Sequence, residues 1–190
     1  VKRVVYSSTS SAYGLKNSPP LKEDMSKDCL TPYSVSKTAG EELCKVYYNI
    51  YGLETVILRY FNVYGNREPV KGHYAPVVGL FLRQKKDGQP LTIVGDGQQT
   101  RDFTHIDDAV TANVLSATTK NKEAFGEVFN IGTGENHSIL WIAHLVGGEI
   151  KHIEPRSGEA RHTLADNSKA RKILGWKPTK NLENYIKNLT

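Results

Sequence analysis

The sequence has little cysteine. Cys29 and Cys44 are the only two; they form no C-x-x-C, and no histidine cluster stands beside them. The reading is a pair of free thiols in a reducing cytosol. Long apolar runs are also missing. The longest patches, residues 77–82 and Ile139–Val146, fall short of the roughly 18 residues that a membrane-spanning helix needs. No secretory signal is visible, so a cytoplasmic location is expected, with no membrane partner. There is no low-complexity tract and no internal repeat. The formal net charge is +5, yet Lys and Arg are dispersed, and the densest cluster is Arg83, Lys85 and Lys86. A nucleic-acid binder would show a continuous basic face interleaved with stacking aromatics. None is evident, so nucleic acid is not an expected partner.

What is present is a globular composition. Of 190 residues, 38% are hydrophobic and 24% charged, which suits one domain, or one domain and a piece of another. β-Branched and aromatic runs predict strands over 3–6, Glu54–Tyr60, Leu91–Val94, 102–106, 128–131 and Ile150–Ile153. Helical spacing predicts a helix over 34–51, with an apolar stripe of Ala39, Leu43, Val46, Tyr47 and Ile50 and a stop at Gly52. Further helices are predicted over Val77–Lys86, from a cap at Asp107 or Asp108 to about residue 117, from a cap at Ser138 to 146, and over 168–174. Gly95-Asp96-Gly97 reads as a turn, and 154–165 as a loop of a size that suits a substrate. Strands alternating with helices argue for an α/β fold with parallel pairing.

One local pattern carries chemistry. Tyr33 and Lys37 are four residues apart at the start of the first helix, so they share a face. A fixed ammonium beside a phenol stabilises the phenolate and lets tyrosine act as a base near neutral pH. By itself Y-x-x-x-K is weak, since any amphipathic helix offers it by chance. The context strengthens it. Upstream a strand ends in the hydroxyl cluster Ser7-Ser8-Thr9-Ser10-Ser11, and downstream the next strand ends in Arg59-Tyr60-Phe61-Asn62-Val63-Tyr64-Gly65. His105 and Asp107 form a possible metal pair, but no third ligand is evident, and capping and packing is the preferred reading. No metal is expected.

Six ordered blocks together resemble the extended short-chain dehydrogenase/reductases, and within them the nucleotide-sugar 4-epimerases. They are Tyr6 through Gly14, Pro32-Tyr33-Ser34-Val35-Ser36-Lys37, Arg59 through Gly65, Gly95 through Phe103, Asn130-Ile131-Gly132-Thr133-Gly134, and Pro155-Arg156-Ser157-Gly158-Glu159 followed by Leu174-Gly175-Trp176. The resemblance implies a Rossmann-like parallel sheet with helices on both faces and a smaller C-terminal substrate-binding lobe. It implies NAD as the cofactor and a UDP-sugar as the substrate, inverted at carbon 4 through a 4-keto intermediate. By the same resemblance Tyr33 is the catalytic base, Lys37 binds the nicotinamide ribose and Thr9 assists at the sugar oxygen. Ser8, Tyr60 and Val63 would touch the nicotinamide end. Asn62, Val77, Thr92, Arg101, Arg156 and Glu159 would hold the nucleotide diphosphate, for which the two guanidinium forks are well suited. Thr163 would stand beside the carbon-2 substituent of the sugar, and being small it would admit an N-acetyl group. Family members dimerise through this helix and one that precedes it, and the side carrying Cys44, Tyr48 and Tyr51 is partly apolar, so a homodimer is expected for the full-length protein.

The expected division is residues 1–65 as the later part of a cofactor-binding domain, 66–106 mostly substrate lobe, 107–135 a return to the cofactor layer, and 136–190 the C-terminal lobe. One departure from the family is large. The glycine-rich turn G-x-x-G-x-x-G that cradles a dinucleotide pyrophosphate is not in this sequence. A partial sequence, inactive alone, is the expectation. Two rivals stand beside the epimerase. A 4,6-dehydratase or decarboxylase of the same family would carry an acidic residue where Ser11 stands. A non-catalytic nucleotide-sugar binding module would not need Thr9, Tyr33 and Lys37 intact.

Overall fold

The computed structural model describes residues 1–68, 76–155 and 160–190. In chain order the elements are β1 (Arg3–Thr9), α1 (Pro32–Tyr51), β2 (Glu54–Tyr60), β3 (Val63–Tyr64), α2 (Val77–Lys86), β4 (Leu91–Val94) and β5 (Thr100–Asp102). They continue with β6 (Thr104–His105), α3 (Ile106–Thr118), β7 (Glu127–Ile131), β8 (Asn136–Ser138), α4 (Ile139–Val146), β9 (Ile150–Ile153) and α5 (Leu182–Lys187). A 3-10 turn, Ser10–Tyr13, follows β1, and a π-type turn, Ala170–Leu174, precedes Gly175.

The main sheet is parallel, in the order β1-β2-β7. Alternation along each strand decides what lies on each face. Val5, Val56 and Leu58 point to one side and pack with Ala112 and Leu115 of α3. Tyr6, Thr55 and Arg59 point to the other and meet α1. The two faces of the sheet are therefore covered by different helices, as the Rossmann-like reading requires. Gly40 is where the contact with α1 is closest: a Cβ there would collide with the Tyr6 phenol.

A second apolar core joins α2, β4, α4 and α5 through Val78, Phe81, Leu91, Ile93, Ile142, Val146 and Ile186. Here β4 pairs in parallel with β9. The π-type turn does not belong to this core. Ala170, Leu174 and Trp176 pack with Val56, Leu58, Phe129 and Ile131 on the main sheet. The stretch 168–176, expected within the C-terminal lobe, thus closes the parallel sheet instead, held there by burial of Trp176 and by its indole N–H, which donates to the Asp108 carbonyl at 2.8 Å.

Local chemistry explains the other departures. α1 begins at Pro32, because Thr31 and Ser34 exchange side-chain and backbone hydrogen bonds in a capping box and proline suits the first helical position. The strand expected over 102–106 breaks into β5 and β6, and Ile106 already belongs to α3. The cap of α3 is His105, whose ring accepts from the Asp107 N–H at 3.1 Å, not Asp107 or Asp108. Asp108 instead accepts from Thr179 N, Thr179 Oγ1 and Lys180 N at 3.0, 2.8 and 3.0 Å, tying the C-terminal segment to α3. β3, β8 and α5 carry no prediction from the sequence.

The orientation of α1 is the clearest correction. Leu43, Val46, Tyr47 and Ile50, the expected stripe, are exposed. The buried side is polar, with Ser34, Thr38 and Glu41. Cys44 and Tyr48 turn inward as well: the Cys44 carbonyl accepts from Thr55 Oγ1, and Tyr48 packs by Gly126. A hydrophobic period finds a stripe but cannot say what lies against it. Here a buried cation on β2 selects the opposite face.

Candidate active site

The carboxyl ends of β1 and β2 lie side by side, with Ser8 opposite Arg59 and Thr9 opposite Tyr60. In open α/β sheets this edge is where ligands bind. The first turns of α1 carry Tyr33 and Lys37 to it. Lys37 Nζ donates to the Ser7 carbonyl at 2.9 Å and sits 5.5 Å from the centroid of the Tyr6 ring and 5.9 Å from that of Tyr33. Tyr33 is 49% exposed, open to a ligand. The Thr9 side chain accepts from Ser11 N and donates to Ser11 Oγ, both at 3.1 Å, which caps the 3-10 turn and fixes the hydroxyl at the strand end. Tyr33, Lys37 and Thr9 therefore share one edge of the sheet.

Tyr60 and Val63 flank this edge and are partly buried. The Tyr60 hydroxyl is tied to the Asn113 side chain of α3, with contacts of 2.8 and 3.0 Å. Ser8 is placed differently from a free ligand group. It is buried, and its hydroxyl donates to Glu41 at 2.5 Å. Any contact between Ser8 and a cofactor would come from its main chain.

The proposed diphosphate-binding residues lie further along. The Asn62 side chain donates to the Asp102 carbonyl at 2.9 Å, linking the end of β2 to β5. Val77 opens α2. The Thr92 hydroxyl accepts from Gln84 at 2.8 Å, and Thr92 borders a groove of about 370 Å³ lined also by Arg83, Asp87 and Lys151. Arg101 donates to the Thr100 carbonyl at 2.9 Å. Thr163 runs alongside β5, its N–H donating to the Thr100 carbonyl at 3.1 Å. Arg156 and Glu159 lie outside the described residues.

The sequence did not single out Glu41 or Asp102. Both are fully buried carboxylates. Burial pushes the Glu41 carboxyl up, but the hydrogen bonds and charge of Arg59, helped by Ser8 and Lys27, outweigh it and hold it below the usual carboxylate range. Burial raises Asp102 in spite of hydrogen bonds from Ala165, Thr133 and Gly134. A visible signal existed for Asp102: the turn Gly132-Thr133-Gly134 offers main-chain donors. Gly132 is required there, since a Cβ would collide with Ala165 and the Asp102 carboxylate.

A parallel α/β sheet with a Tyr-Lys pair and a threonine hydroxyl at its carboxyl edge is the arrangement of a short-chain dehydrogenase/reductase. The chain belongs to the NAD dependent epimerase/dehydratase family, which it matches over residues 1–132. It is 35% identical over 185 residues to the UDP-glucose 4-epimerase of Mycolicibacterium smegmatis, covering 94% of this chain and 58% of that one. Its fold is similar to the UDP-N-acetylglucosamine 4-epimerase from Methanobrevibacter ruminantium, solved with UDP-N-acetylmuramic acid, with TM-score 0.92 and 31% identity over 100% of this chain and 62% of that chain. It is also similar to the UDP-glucuronic acid 4-epimerase from Bacillus cereus, solved with UDP-glucuronic acid and NAD, with TM-score 0.84 and 39% identity over 97% of this chain and 59% of that chain. The chain spans about three-fifths of the length of these relatives.

NAD is the cofactor of this family. The residues present fit its nicotinamide end: an exposed phenol and an ammonium held at the carboxyl edge of parallel strands offer the polar, open site that this end of a dinucleotide takes. Among the described residues no helix is long and apolar enough to cross a membrane.

Proposed function

We propose that the protein containing this chain inverts carbon 4 of a UDP-sugar. The observation that carries the reading is the anchoring of Lys37 to the Ser7 carbonyl, which sets its ammonium on the face of α1 that bears Tyr33 and two residues from Thr9. The chemistry that NAD supplies when bound is reversible acceptance of a hydride from the sugar carbon. The chain's part is to handle the proton. Tyr33 Oη takes it from the carbon-4 hydroxyl, and the Lys37 ammonium favours the phenolate that must do so. Thr9 Oγ1 hydrogen-bonds the sugar oxygen as it passes between hydroxyl and carbonyl. Inversion requires the 4-keto sugar to present its other face before the hydride comes back to carbon 4; Tyr33 then returns the proton to the oxygen, and the cofactor ends unchanged. Asn62, Val77, Thr92 and Arg101, with Arg156 and Glu159, hold the UDP portion in this reading.

Relatives named for glucose, N-acetylglucosamine and glucuronic acid leave the sugar open. Thr163 favours the N-acetylated pair, UDP-N-acetylglucosamine and UDP-N-acetylgalactosamine, alongside the plain pair. A small side chain leaves room at carbon 2, whereas a tyrosine would fill it, and packed sites yield little. The test incubates the natural gene product that contains these residues with each UDP-sugar and NAD, then repeats the comparison with Thr163→Tyr. Carbon-4 epimers are expected, with selective loss of the acetylated activity in the variant. A dehydrated or decarboxylated product would replace the epimerase reading. Binding without turnover would favour a non-catalytic nucleotide-sugar module. Equal effects on both sugars would remove Thr163 from the specificity argument.

A further inference from the structure

Tyr33, Lys37 and Glu41 are spaced by four residues and form one ridge of α1. Only Glu41 is fully buried. Its carboxylate is an unusually crowded acceptor. Oε1 accepts from Ser8 Oγ at 2.5 Å and from Arg59 Nε at 2.8 Å; Oε2 accepts from Arg59 Nη2 at 2.7 Å and lies 3.1 Å from Lys27 Nζ. Ser8 and Arg59 are direct cross-strand partners in the β1–β2 register. One side chain on α1 thus grips both strands at the level where the site begins.

Ser8 matters because of its neighbours. The Ser7 carbonyl receives the Lys37 ammonium, and Thr9 supplies the hydroxyl at the strand end. A shift of Ser8 relative to α1 displaces both. The grip also extends sideways. Arg59 lies over the Tyr13 ring, 4.8 Å from its centroid, and the Tyr13 hydroxyl donates to Asn130 Oδ1 at 2.6 Å. Asn130 is the register partner of Arg59 in β7. All three strands are linked through this one network.

Stability alone does not call for such an arrangement. Replacing a buried ion pair by apolar side chains of similar volume is often neutral or stabilising. Apolar packing, however, tolerates sliding, whereas a carboxylate with directional partners on two strands does not.

From this geometry we infer that Glu41 is a positioning residue for the Tyr33–Lys37–Thr9 site, acting through the Ser8 hydroxyl. Ser8 serves the site by fixing the main chain of β1, not by touching the cofactor with its side chain. The inference rests on the epimerase reading for its kinetic consequence. Its structural consequence, a held Lys37, is independent of that reading.

The test uses the natural gene product with Ser8→Ala, Ser8→Thr and Glu41→Gln. Ser8→Ala removes one hydroxyl and leaves the Glu41–Arg59 pair intact, so it should fold with a melting temperature close to the parent. Its kcat should fall about tenfold or more, KM for the UDP-sugar should stay within about twofold, and the alkaline shift of the kcat–pH profile should report a loosened Lys37. Ser8→Thr, which keeps the hydroxyl on a strand that tolerates β-branching, should restore most of the rate. Glu41→Gln should lower both rate and melting temperature. In parallel, competitive acetylation read by mass spectrometry compares Lys37 with the exposed Lys16. Ser8→Ala should speed labelling of Lys37 alone. Unchanged kcat and unchanged Lys37 labelling in Ser8→Ala would overturn the inference, as would a defect confined to KM for NAD. A parent protein with no turnover, but with Lys37 labelling that still responds to Ser8→Ala, would overturn the epimerase reading and leave the positioning role standing.

Discussion

The Asp102 carboxylate accepts the main-chain N–H of Ala165 at 3.0 Å, across 63 residues of sequence. The same carboxylate accepts from Thr133 N at 2.7 Å, Thr133 Oγ1 at 2.8 Å and Gly134 N at 3.0 Å. It therefore ties the end of β5 to the turn after β7 and to the end of the segment that carries Thr163. Arg101, next to it in β5, is one of the proposed diphosphate ligands.

Asp102→Ala should be strongly destabilising. Its loss leaves the buried Ala165 N–H without an acceptor, at a cost of roughly 1–3 kcal/mol, and removes the part-buried bonds from Thr133 and Gly134 as well. A fall in the denaturation midpoint is expected, together with a raised KM for the UDP-sugar, because Arg101 and Thr163 lose their common anchor. A midpoint unchanged within error would show that solvent replaces the carboxylate.

Tyr33→Phe should cut kcat by orders of magnitude while leaving UDP-sugar binding nearly intact, since the hydroxyl matters mainly in the transition state. Retention of more than about a tenth of the parent kcat, a barrier change below roughly 1.4 kcal/mol, would remove Tyr33 from the role of base. Lys37→Met should move the pH optimum of kcat upward. Steady-state kinetics across a pH series measures both.

Glu68 stands at the end of the segment leading from β3, partly buried, with Oε2 lacking a hydrogen-bond partner among the described residues. Burial pushes its carboxyl up to about 7. The unfolded chain would titrate near 4.3. Between these values the native state holds the proton more tightly, so stability falls as pH rises through this window and levels off above it. Glu68→Gln should raise the melting temperature at pH 8 and leave it unchanged at pH 4. An equal gain at both values would mean that charge is not the cause. Gly79 packs against this carboxylate so closely that a Cβ would collide with it.

The exposed stripe of α1 should be the dimer face. Leu43 is 59% and Ile50 67% exposed, and the rings of Tyr47 and Tyr51 lie 5.2 Å apart beside them. A homodimer is expected for the natural gene product by light scattering. Leu43→Glu with Ile50→Glu should yield a monomer that keeps its fold by circular dichroism. A monomeric parent at tens of micromolar, or a double variant that remains a dimer, would place the contact elsewhere or remove it.

The sequence by itself determined the element types and the main constellation. Hydrophobic period, with the Ser138 cap for α4, located α1, α2, α3, α4 and the strands β1, β2, β4, β7 and β9, because those signals act within one or two turns of chain. The four-residue spacing placed Tyr33 and Lys37 on one helical face, and the ordered blocks pointed to the family. What only the tertiary structure decided depends on partners distant in sequence. Which face of α1 turns inward follows from Arg59, 18 residues beyond Glu41, because a buried guanidinium must be paired and the apolar stripe has no charge to offer it. The use of Ser8 as a link to Glu41, the four donors gathered by Asp102 and the docking of Trp176 on the main sheet rest on contacts between 31 and 68 residues apart in sequence. No periodicity reports such pairs. They exist because a group removed from water must find its hydrogen bonds wherever the folded chain brings them.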